Sequence, residues 1–123
     1  MVETKKILIV DDDKQIRDLL SDYLTKKGFM VSTAKDGLEA ISKSEAEKFD
    51  YIFLDIKMSG LNGVEVFKHI KQNKPQTNII IMTGFRIMAE ELMSDELKKQ
   101  IHTILYKPFS MKCVLKCVGS KCE

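Results

Sequence analysis

Short apolar runs alternate with helical patterns along the whole chain. Stretches of strand length recur between segments in which apolar residues return every three or four positions. Strand and helix in strict alternation are typical of a parallel α/β sheet, because parallel strands need crossover connections that are usually helical. The predicted strands span residues 7–10, 30–33, 51–54, 79–82 and 101–106.

Helical periodicity fills the segments between these runs. Asp13 is expected to cap the first helix, since its carboxylate can accept a backbone N–H of the first turn. Gly28 is expected to end that helix in a left-handed conformation. The predicted helices span residues 13–27, 36–48, 64–73, 88–99 and 109–118.

Apolar positions in these helices predict which side of each helix meets the sheet. In the last helix, the same periodicity places Cys113 and Cys117 on the opposite, wetter side. The residues expected to face inward are Ile16, Leu19, Leu20, Tyr23 and Leu24 in the first helix, Leu38, Ala40 and Ile41 in the second, and Val114 and Val118 in the last.

Polar residues follow directly on four of the predicted strands. Asp11 and Asp12 follow the first strand, Asp55 the third, Thr83 the fourth and Lys107 the fifth. In open α/β sheets the carboxyl ends of the strands lie at one edge, and sites form there. The sequence therefore predicts one pocket that combines carboxylates, a hydroxyl and an ammonium group.

The position of the acidic residues also favours a strand order. Five βα units with acidic residues after the first and third strands favour the order 2-1-3-4-5, with helices on both faces of the sheet. This arrangement resembles the flavodoxin-like doubly wound α/β fold. Right-handed crossovers between parallel strands limit the other topologies.

Carboxylates crowded at this edge raise one another's pKa unless a cation offsets their charge. Mg²⁺ prefers hard oxygen ligands, commonly one or two carboxylates together with water and phosphate oxygens. A solvated acidic loop would explain Asp11 and Asp12 by themselves. Their coincidence with Asp55, Thr83 and Lys107 at other strand ends favours a cation and phosphoryl site instead.

Composition limits the classes of function. A chain of 123 residues is expected to form a single domain over residues 1–123, without an effector domain. The net charge of +2 and scattered lysines do not favour nucleic-acid binding. No apolar run approaches the roughly 18 residues that span a bilayer. No signal-peptide pattern precedes the first strand, so a cytoplasmic location is expected.

The cysteines cluster near the end of the chain. Cys113 and Cys117 are four residues apart, so a partial metal site is conceivable, but no histidine or acidic residue lies at ligand spacing. The odd number of cysteines, with Cys122 as the third, argues against a disulfide framework. Reduced thiols without a role are expected.

On the basis of these residues, the chain resembles a two-component response regulator receiver domain of the chemotaxis response regulator type. The resemblance covers residues 6–118 as the core of the domain. It rests on four stretches, ILIVDDD at 7–13, FLDIKMSGLNG at 53–63, IIMTG at 80–84 and YKPF at 106–109.

The resemblance implies that Asp55 accepts a phosphoryl group from the phosphohistidine of a histidine kinase or histidine phosphotransfer protein. It implies Mg²⁺ as cofactor, bound by Asp12 directly, by Asp11 through water, and by Asp55 and the backbone carbonyl of Lys57. The protein would then be a signalling switch that catalyses only its own phosphorylation and dephosphorylation.

The resemblance also implies the groups that respond to phosphorylation. Lys107 would pair first with Asp55 and then with a phosphoryl oxygen, and its bond to Pro108 would be cis. Thr83 would donate its hydroxyl to the phosphoryl group and move its loop. Lys57 and Phe85, each two residues beyond a site residue, are expected to tune the lifetime of the phosphoryl group.

The chain departs from the family pattern in several places. Ile104 stands where receivers usually carry Tyr or Phe, and Tyr106, with the same strand parity, is the residue that could partly substitute. Ser59 replaces a common proline, and the stretch from Thr83 to Lys107 is slightly long. The two histidines, His69 and His102, are expected to have no phosphodonor role.

Three other functions were compared with the phosphoacceptor function. A phosphoaspartate hydrolase needs a second Asp two residues after its nucleophile, where this chain has Lys57. A flavin carrier must hold phosphate after the first strand, where residues 11–13 are acidic. A receiver that is never phosphorylated predicts loss of site residues, and all are present.

The sequence is compatible with several kinds of partner. The chain fits a stand-alone receiver, a phosphorelay intermediate or the N-terminal domain of a transcription regulator, acting on an output domain or a downstream protein. Direct contact with nucleic acid or membrane is not expected. Both a monomer and a phosphorylation-dependent dimer are consistent with the sequence.

Overall fold

A parallel sheet of five strands forms the centre of the molecule. The computed structural model describes residues 4–57, 63–84 and 95–118. The strand order is β2-β1-β3-β4-β5, and every neighbouring pair is parallel, as the sequence predicts. The strands are β1 (Lys6–Val10), β2 (Met30–Ala34), β3 (Tyr51–Asp55), β4 (Asn78–Thr83) and β5 (Thr103–Tyr106).

Helices connect successive strands. The N-cap prediction for Asp13 is confirmed, since its side chain accepts the backbone N–H of Gln15, and Gly28 has a φ of 100°. The last residues of the predicted fourth helix are helical, and residues 88–94 lie outside the described ranges. The helices are α1 (Lys14–Lys26), α2 (Gly37–Ala46), α3 (Gly63–Asn73), α4 (Asp95–Lys98) and α5 (Met111–Cys117).

Alternate residues of the strands build two separate cores. Ile9 and Phe53 point to the face that α1 and α5 cover, and Val10 and Leu54 point to the face that α2 and α3 cover. Because both faces are covered, the inner strands are apolar at nearly every position. None of the described helices is both long and apolar enough to cross a membrane.

Two residues expected in the core lie at the surface. Leu19 is 51% exposed and Leu38 is 72% exposed, so their inward predictions were wrong. Each residue of a helix is turned by about 100° from the one before it. Leu20 of α1 and Ala40 of α2 are fully buried. Leu19 and Leu38 are therefore turned away from the buried faces of their helices.

The last helix buries a wider face than its apolar periodicity predicts. Val114 and Val118 are buried as expected, and Cys113 is exposed. Cys117 is buried, which contradicts the prediction that it faces solvent, because it neighbours Val118 and packs in the same core. Burial, with a smaller effect of Cys113, raises the pKa of the Cys117 thiol to about 11. Such a thiol is unreactive at neutral pH.

Candidate functional site

The predicted polar residues meet at the carboxyl edge of the sheet. Asp55 and Thr83 are the last residues of β3 and β4, Asp11 directly follows β1, and Lys107 directly follows β5. Asp11, Asp55 and Thr83 are each at most 5% exposed. The structure therefore brings together residues that lie far apart in the sequence.

Asp11 is held at several of its atoms. Its backbone N–H donates to the carbonyl of Ala34 at 3.2 Å. One carboxylate oxygen accepts the backbone N–H of Asp13 at 2.9 Å, and the other accepts the Lys107 ammonium at 2.9 Å. Both carboxylate oxygens are thus engaged by donors of the protein, and the side chain has a fixed orientation.

Asp55 lies beside Asp11 and shares its cation. Its Oδ2 accepts the Lys107 ammonium at 3.2 Å, and its Oδ1 accepts the backbone N–H of Lys57 at 3.0 Å. Burial raises the pKa of Asp55 to about 6, and the charge of Asp11 adds to this, against the opposing effects of Lys57 and Lys107. The contacts available within the protein therefore do not fully stabilise the ionised carboxylate.

Lys107 bridges the two buried carboxylates. Burial would lower the pKa of its ammonium, but hydrogen bonds and charge from Asp11 and Asp55 outweigh burial and raise it. Its backbone N–H donates to the carbonyl of Thr83 at 2.8 Å, which joins it to the end of β4. The peptide bond from Lys107 to Pro108 is cis, as the family resemblance implies.

The acidic residues fit a divalent cation. Carboxylate oxygens of Asp11, Asp12 and Asp55 all lie within 4.8 Å of one another. Asp12 is exposed, whereas the other two are buried. Hard oxygen donors on one rim, one of them open to solvent, suit Mg²⁺, which keeps part of its water shell. Burial, and to a lesser extent the charge of Asp11, raises the pKa of Asp55, and a nearby cation would favour its ionised form.

Thr83 and the residues predicted to respond with it lie on neighbouring strands. Thr83 is buried and pairs in register with Tyr106, while Ile104 pairs with Ile81. Ile104 is half-buried and packs against the core beneath α2 and α3. In this register Tyr106, rather than Ile104, lies level with Thr83.

The other residues singled out from the sequence lie at the surface, at the amino ends of the strands or outside the described residues. Lys57 has an exposed side chain, and its backbone N–H contacts Asp55. Phe85 and Ser59 lie outside the described residues. His69 forms a surface contact with Glu45 at 3.0 Å. His102 precedes β5 at the opposite edge of the sheet, where its ring bonds the carbonyl of Cys117 at 2.9 Å.

The first residue of α3, Gly63, makes a tight contact with Ile56. The Gly63 N–H donates to the carbonyl of Ile56 at 3.2 Å. A β-carbon at position 63 would lie 2.7 Å from the carbonyl carbon of Ile56 and closer still to its α-carbon. Only glycine allows the start of α3 to approach the end of β3 this closely.

A groove of about 400 Å³ opens beside Lys107. It lies between α1 and the segment that follows the cis peptide bond, and exposed Leu19 forms part of its wall. Its lining residues are Ile16, Leu19, Lys107, Pro108 and Phe109.

One residue at the site was not predicted from the sequence. Arg17 of α1 donates from Nη1 to the backbone carbonyl oxygen of Asp11 at 2.8 Å. Its position one turn after the acidic run places it close to that loop, but sequence spacing does not reveal which oxygen it reaches. The bond of Lys107 to Asp11, in addition to Asp55, was likewise not predicted.

Comparison with known proteins decides the family. Residues 7–118 match the family model described as the response regulator receiver domain. The chain belongs to this family. The receiver therefore has a phosphoacceptor signalling role in two-component systems, and it is a member of a family of signalling switches.

Two curated relatives indicate the range of proteins that contain such a domain. The receiver is 40% identical over 106 residues to the alkaline phosphatase synthesis transcriptional regulatory protein PhoP of Bacillus subtilis, covering 86% of this chain and 43% of PhoP. It is 36% identical to sporulation initiation phosphotransferase F of Bacillus subtilis, covering 87% of this chain and 85% of that protein. The chain thus spans less than half of PhoP and most of phosphotransferase F.

Solved structures share the fold. The chemotaxis protein CheY4 of Vibrio cholerae is 31% identical with a TM-score of 0.80, and the match covers 95% of this chain and 98% of CheY4. The response regulator TrrA of Thermotoga maritima, solved in complex with Mg²⁺-BeF, is 32% identical with a TM-score of 0.78. That match covers 94% of this chain and 99% of TrrA.

Proposed function

We propose that Asp55 is the phosphoacceptor and that phosphorylation of its carboxylate is the signal this receiver transmits. The observation that supports this most strongly is the position of Asp55, buried at the sheet edge in contact with the Lys107 ammonium and close to Asp11 and Asp12. A carboxylate oxygen of Asp55 attacks phosphorus while the phosphorus–nitrogen bond of a phosphohistidine breaks. The imidazole leaves and takes up a proton.

Lys107 stabilises the charge that moves onto the phosphoryl oxygens. Its ammonium already contacts the Asp55 carboxylate, so only a small shift is needed to reach a new phosphoryl oxygen. Phosphoryl transfer depends mainly on positioning and charge stabilisation, and a fixed ammonium supplies both.

Mg²⁺ is the proposed cofactor, held by Asp12, Asp55 and the Lys57 carbonyl oxygen, with Asp11 acting through water. When bound, it neutralises negative charge on the carboxylates and phosphoryl oxygens. The engagement of both Asp11 oxygens by Lys107 and by the backbone of Asp13 supports an indirect role for Asp11. The exposure of Asp12 supports a direct one.

Thr83 is the proposed sensor of phosphorylation. It ends β4 next to the site, and a phosphorylated Asp55 would present new acceptor oxygens to its hydroxyl. A movement of Thr83 would carry along the loop that follows it, which turns a local charge into a surface change. Tyr106, the register partner of Thr83, is proposed to respond in place of the aromatic residue missing at Ile104.

The proposed phosphodonor is a protein, a histidine kinase or histidine phosphotransfer protein. The groove that exposed Leu19 lines provides an apolar surface beside Lys107, whose ammonium contacts the Asp55 carboxylate. The receiver is proposed to act in the cytoplasm as one domain with a core at residues 6–118, without direct contact to nucleic acid or membrane. It would control an output domain or a downstream protein, as a monomer or as a phosphorylation-dependent dimer.

Lys57 and Phe85 are proposed to tune the lifetime of the phosphoryl group. Each follows a site residue by two positions, and the exposed Lys57 side chain can shield or contact the phosphoryl oxygens. Dephosphorylation rates of Lys57→Ala and Phe85→Ala, compared with wild type, test this role. Rates unchanged in both variants would remove it.

The rival function is a binding module that is never phosphorylated. Intact-mass measurement after incubation with a small acyl phosphate, with and without Mg²⁺, separates the two. We expect one Mg²⁺-dependent phosphoryl adduct on wild type and none on Asp55→Asn. A folded wild type that binds Mg²⁺ but gains no adduct would contradict the proposal and favour the binding module.

A further inference from the structure

Arg17 anchors the acidic loop from the side of α1. Its guanidinium donates to the backbone carbonyl oxygen of Asp11 at 2.8 Å, and Arg17 itself is half-buried. Its backbone N–H also donates to the carbonyl of Asp13 at 3.1 Å, as part of the first turn of the helix. The side chain therefore reaches back across the loop from which its own helix begins.

The bonded carbonyl belongs to the peptide unit that leads into Asp12. The atoms of a peptide unit lie in one plane, from one α-carbon to the next. A hydrogen bond to the carbonyl oxygen of Asp11 therefore also restrains the position of the Asp12 α-carbon. The N–H of Asp11 is fixed on the other side by Ala34 at 3.2 Å. The Arg17 bond thus restrains the peptide unit that precedes Asp12, the exposed member of the acidic cluster.

Charge alone would give Arg17 the opposite effect. A positive group near a cation site repels the incoming cation, so its removal should strengthen Mg²⁺ binding. An anchoring role predicts weaker binding, because the released peptide unit lets Asp12 leave the geometry that the cation needs. The sign of the change in affinity thus distinguishes the two effects.

We propose that Arg17 is a positioning residue for the cation site, acting through the Asp11 carbonyl rather than by contact with the cation. This inference rests on the proposed function, because it assumes that the acidic cluster binds Mg²⁺. The role proposed for Arg17 is to hold the loop at Asp11 so that the Asp12 carboxylate faces the cation site.

The test is an NMR titration of backbone amides with Mg²⁺ for wild type, Arg17→Gln and Arg17→Met. Lys14→Gln is the matched control, since it removes the same charge from the same helix at a position whose ammonium bonds only exposed Asp18 among its described contacts. We expect about tenfold weaker Mg²⁺ binding in both Arg17 variants, the lower end of the range for groups that support metal ligands. The control should bind as tightly as wild type or slightly more tightly.

Urea unfolding in EDTA separates positioning from a general structural role. A structural role would lower the unfolding midpoint and leave the Mg²⁺ dissociation constant of the folded protein unchanged, which would overturn the proposal. Tighter binding in the Arg17 variants would also overturn it, in favour of charge. If Arg17→Gln does not fold, Arg17→Met, which keeps the apolar stem, decides by the same criterion.

Failure of the proposed function gives a different result. A wild type that shows no Mg²⁺-dependent shifts lacks the cation site altogether, which would overturn both proposals. If wild type binds Mg²⁺, the Mg²⁺ affinities of the variants test the role of Arg17 alone. That test does not depend on whether Asp55 is phosphorylated.

Discussion

Two buried carboxylates share one ammonium at the end of the sheet. Asp11 and Asp55 both contact Lys107, at 2.9 Å and 3.2 Å, and Asp55 is only 5% exposed. Buried carboxylates are stable when they are paired, and here two of them draw on the same partner. Burial and the charge of Asp11 together disfavour the ionised form of Asp55, in spite of its contacts with Lys57 and Lys107.

This arrangement predicts how stability depends on pH without Mg²⁺. The pKa of Asp55 is raised from 3.8 to about 6, so the folded protein binds this proton more tightly than the unfolded chain does. The stabilisation is complete below about pH 4 and is lost as the pH rises through 6. Relative to Asp55→Asn, wild type should lose roughly 2 kcal/mol of unfolding free energy between pH 4.5 and 7.5.

Urea unfolding in EDTA at both pH values measures this difference. Asp18→Asn is the control, because Asp18 is an exposed carboxylate of α1 with 62% of its side chain accessible. The stability of wild type relative to Asp18→Asn should change little across the same range. If wild type and Asp55→Asn followed the same pH profile, the account of the buried carboxyl group would be wrong.

The sequence predicts the identities of these residues but not all of their contacts. Asp11, Asp55, Thr83 and Lys107 were found because each directly follows a strongly apolar run, which is a local signal. The bond of Arg17 to the Asp11 carbonyl depends on how α1 packs against the loop. Such a contact has no local signal, and spacing along the chain does not contain it.

At the scale of elements, the first residue of α3 has a strict size requirement. Gly63 lies so close to Ile56 that an added β-carbon would overlap backbone atoms. Gly63→Ala should therefore lower the unfolding free energy by about 1 to 3 kcal/mol, the usual range for overpacking a tight site. Chemical denaturation with Mg²⁺ absent isolates this effect from metal binding.

Gly84→Ala is the matched control for this substitution. At position 84 a β-carbon would have its nearest contact 4.0 Å away, at the β-carbon of Lys107, and the residue is exposed. The control should change stability by less than about 0.5 kcal/mol. Equal losses in the two alanine variants would show that the close approach is not the cause.

Helix α1 provides the second prediction at this scale. Leu19 is 51% exposed in the groove beside Lys107, where it is available to a protein phosphodonor. Leu19→Ala should slow phosphoryl transfer from a phosphorylated histidine kinase that acts on wild type, by about fivefold or more, as expected for a contact of about 1 kcal/mol. Phosphorylation by a small acyl phosphate should be unchanged, since that donor needs no docking surface.

Met30→Ala is the control for the docking surface. Met30 is 55% exposed, like Leu19. It is the first residue of β2 and so lies at the amino end of the strands, away from the site at their carboxyl ends. Its transfer rate should match that of wild type with both donors. A loss of transfer with the small donor in Leu19→Ala would mean that the substitution disturbs the site itself rather than a docking surface.

Helical periodicity predicts the elements better than it predicts their faces. The three inner strands were predicted to within one residue at each end because their apolar runs are buried on both faces of the sheet. The outer strand β5 is only partly buried and begins at Thr103, two residues later than predicted. Leu19, Leu38 and Cys117 were assigned to the wrong environment. Whether a residue at the border of a helix face is buried depends on how wide a strip of the helix contacts the sheet. The sequence does not reveal that width.

For the whole molecule, the sheet order places the chemistry. The order β2-β1-β3-β4-β5 puts β1 next to β3 and β4 next to β5, so that the groups at their ends converge. The sequence predicts this order from the acidic residues at the ends of the first and third strands. Membership of the receiver family agrees with it over residues 7–118.

Asp55, and no other residue, is proposed to carry the phosphoryl group. Borohydride reduction converts an aspartyl phosphate to homoserine, so peptide mass mapping of reduced protein locates the modified position directly. After reaction with a small acyl phosphate and Mg²⁺, we expect homoserine at position 55 and unmodified Asp11 and Asp12. Homoserine at either of those two positions, or phosphate retained on a histidine, would show that Asp55 is not the sole phosphoacceptor.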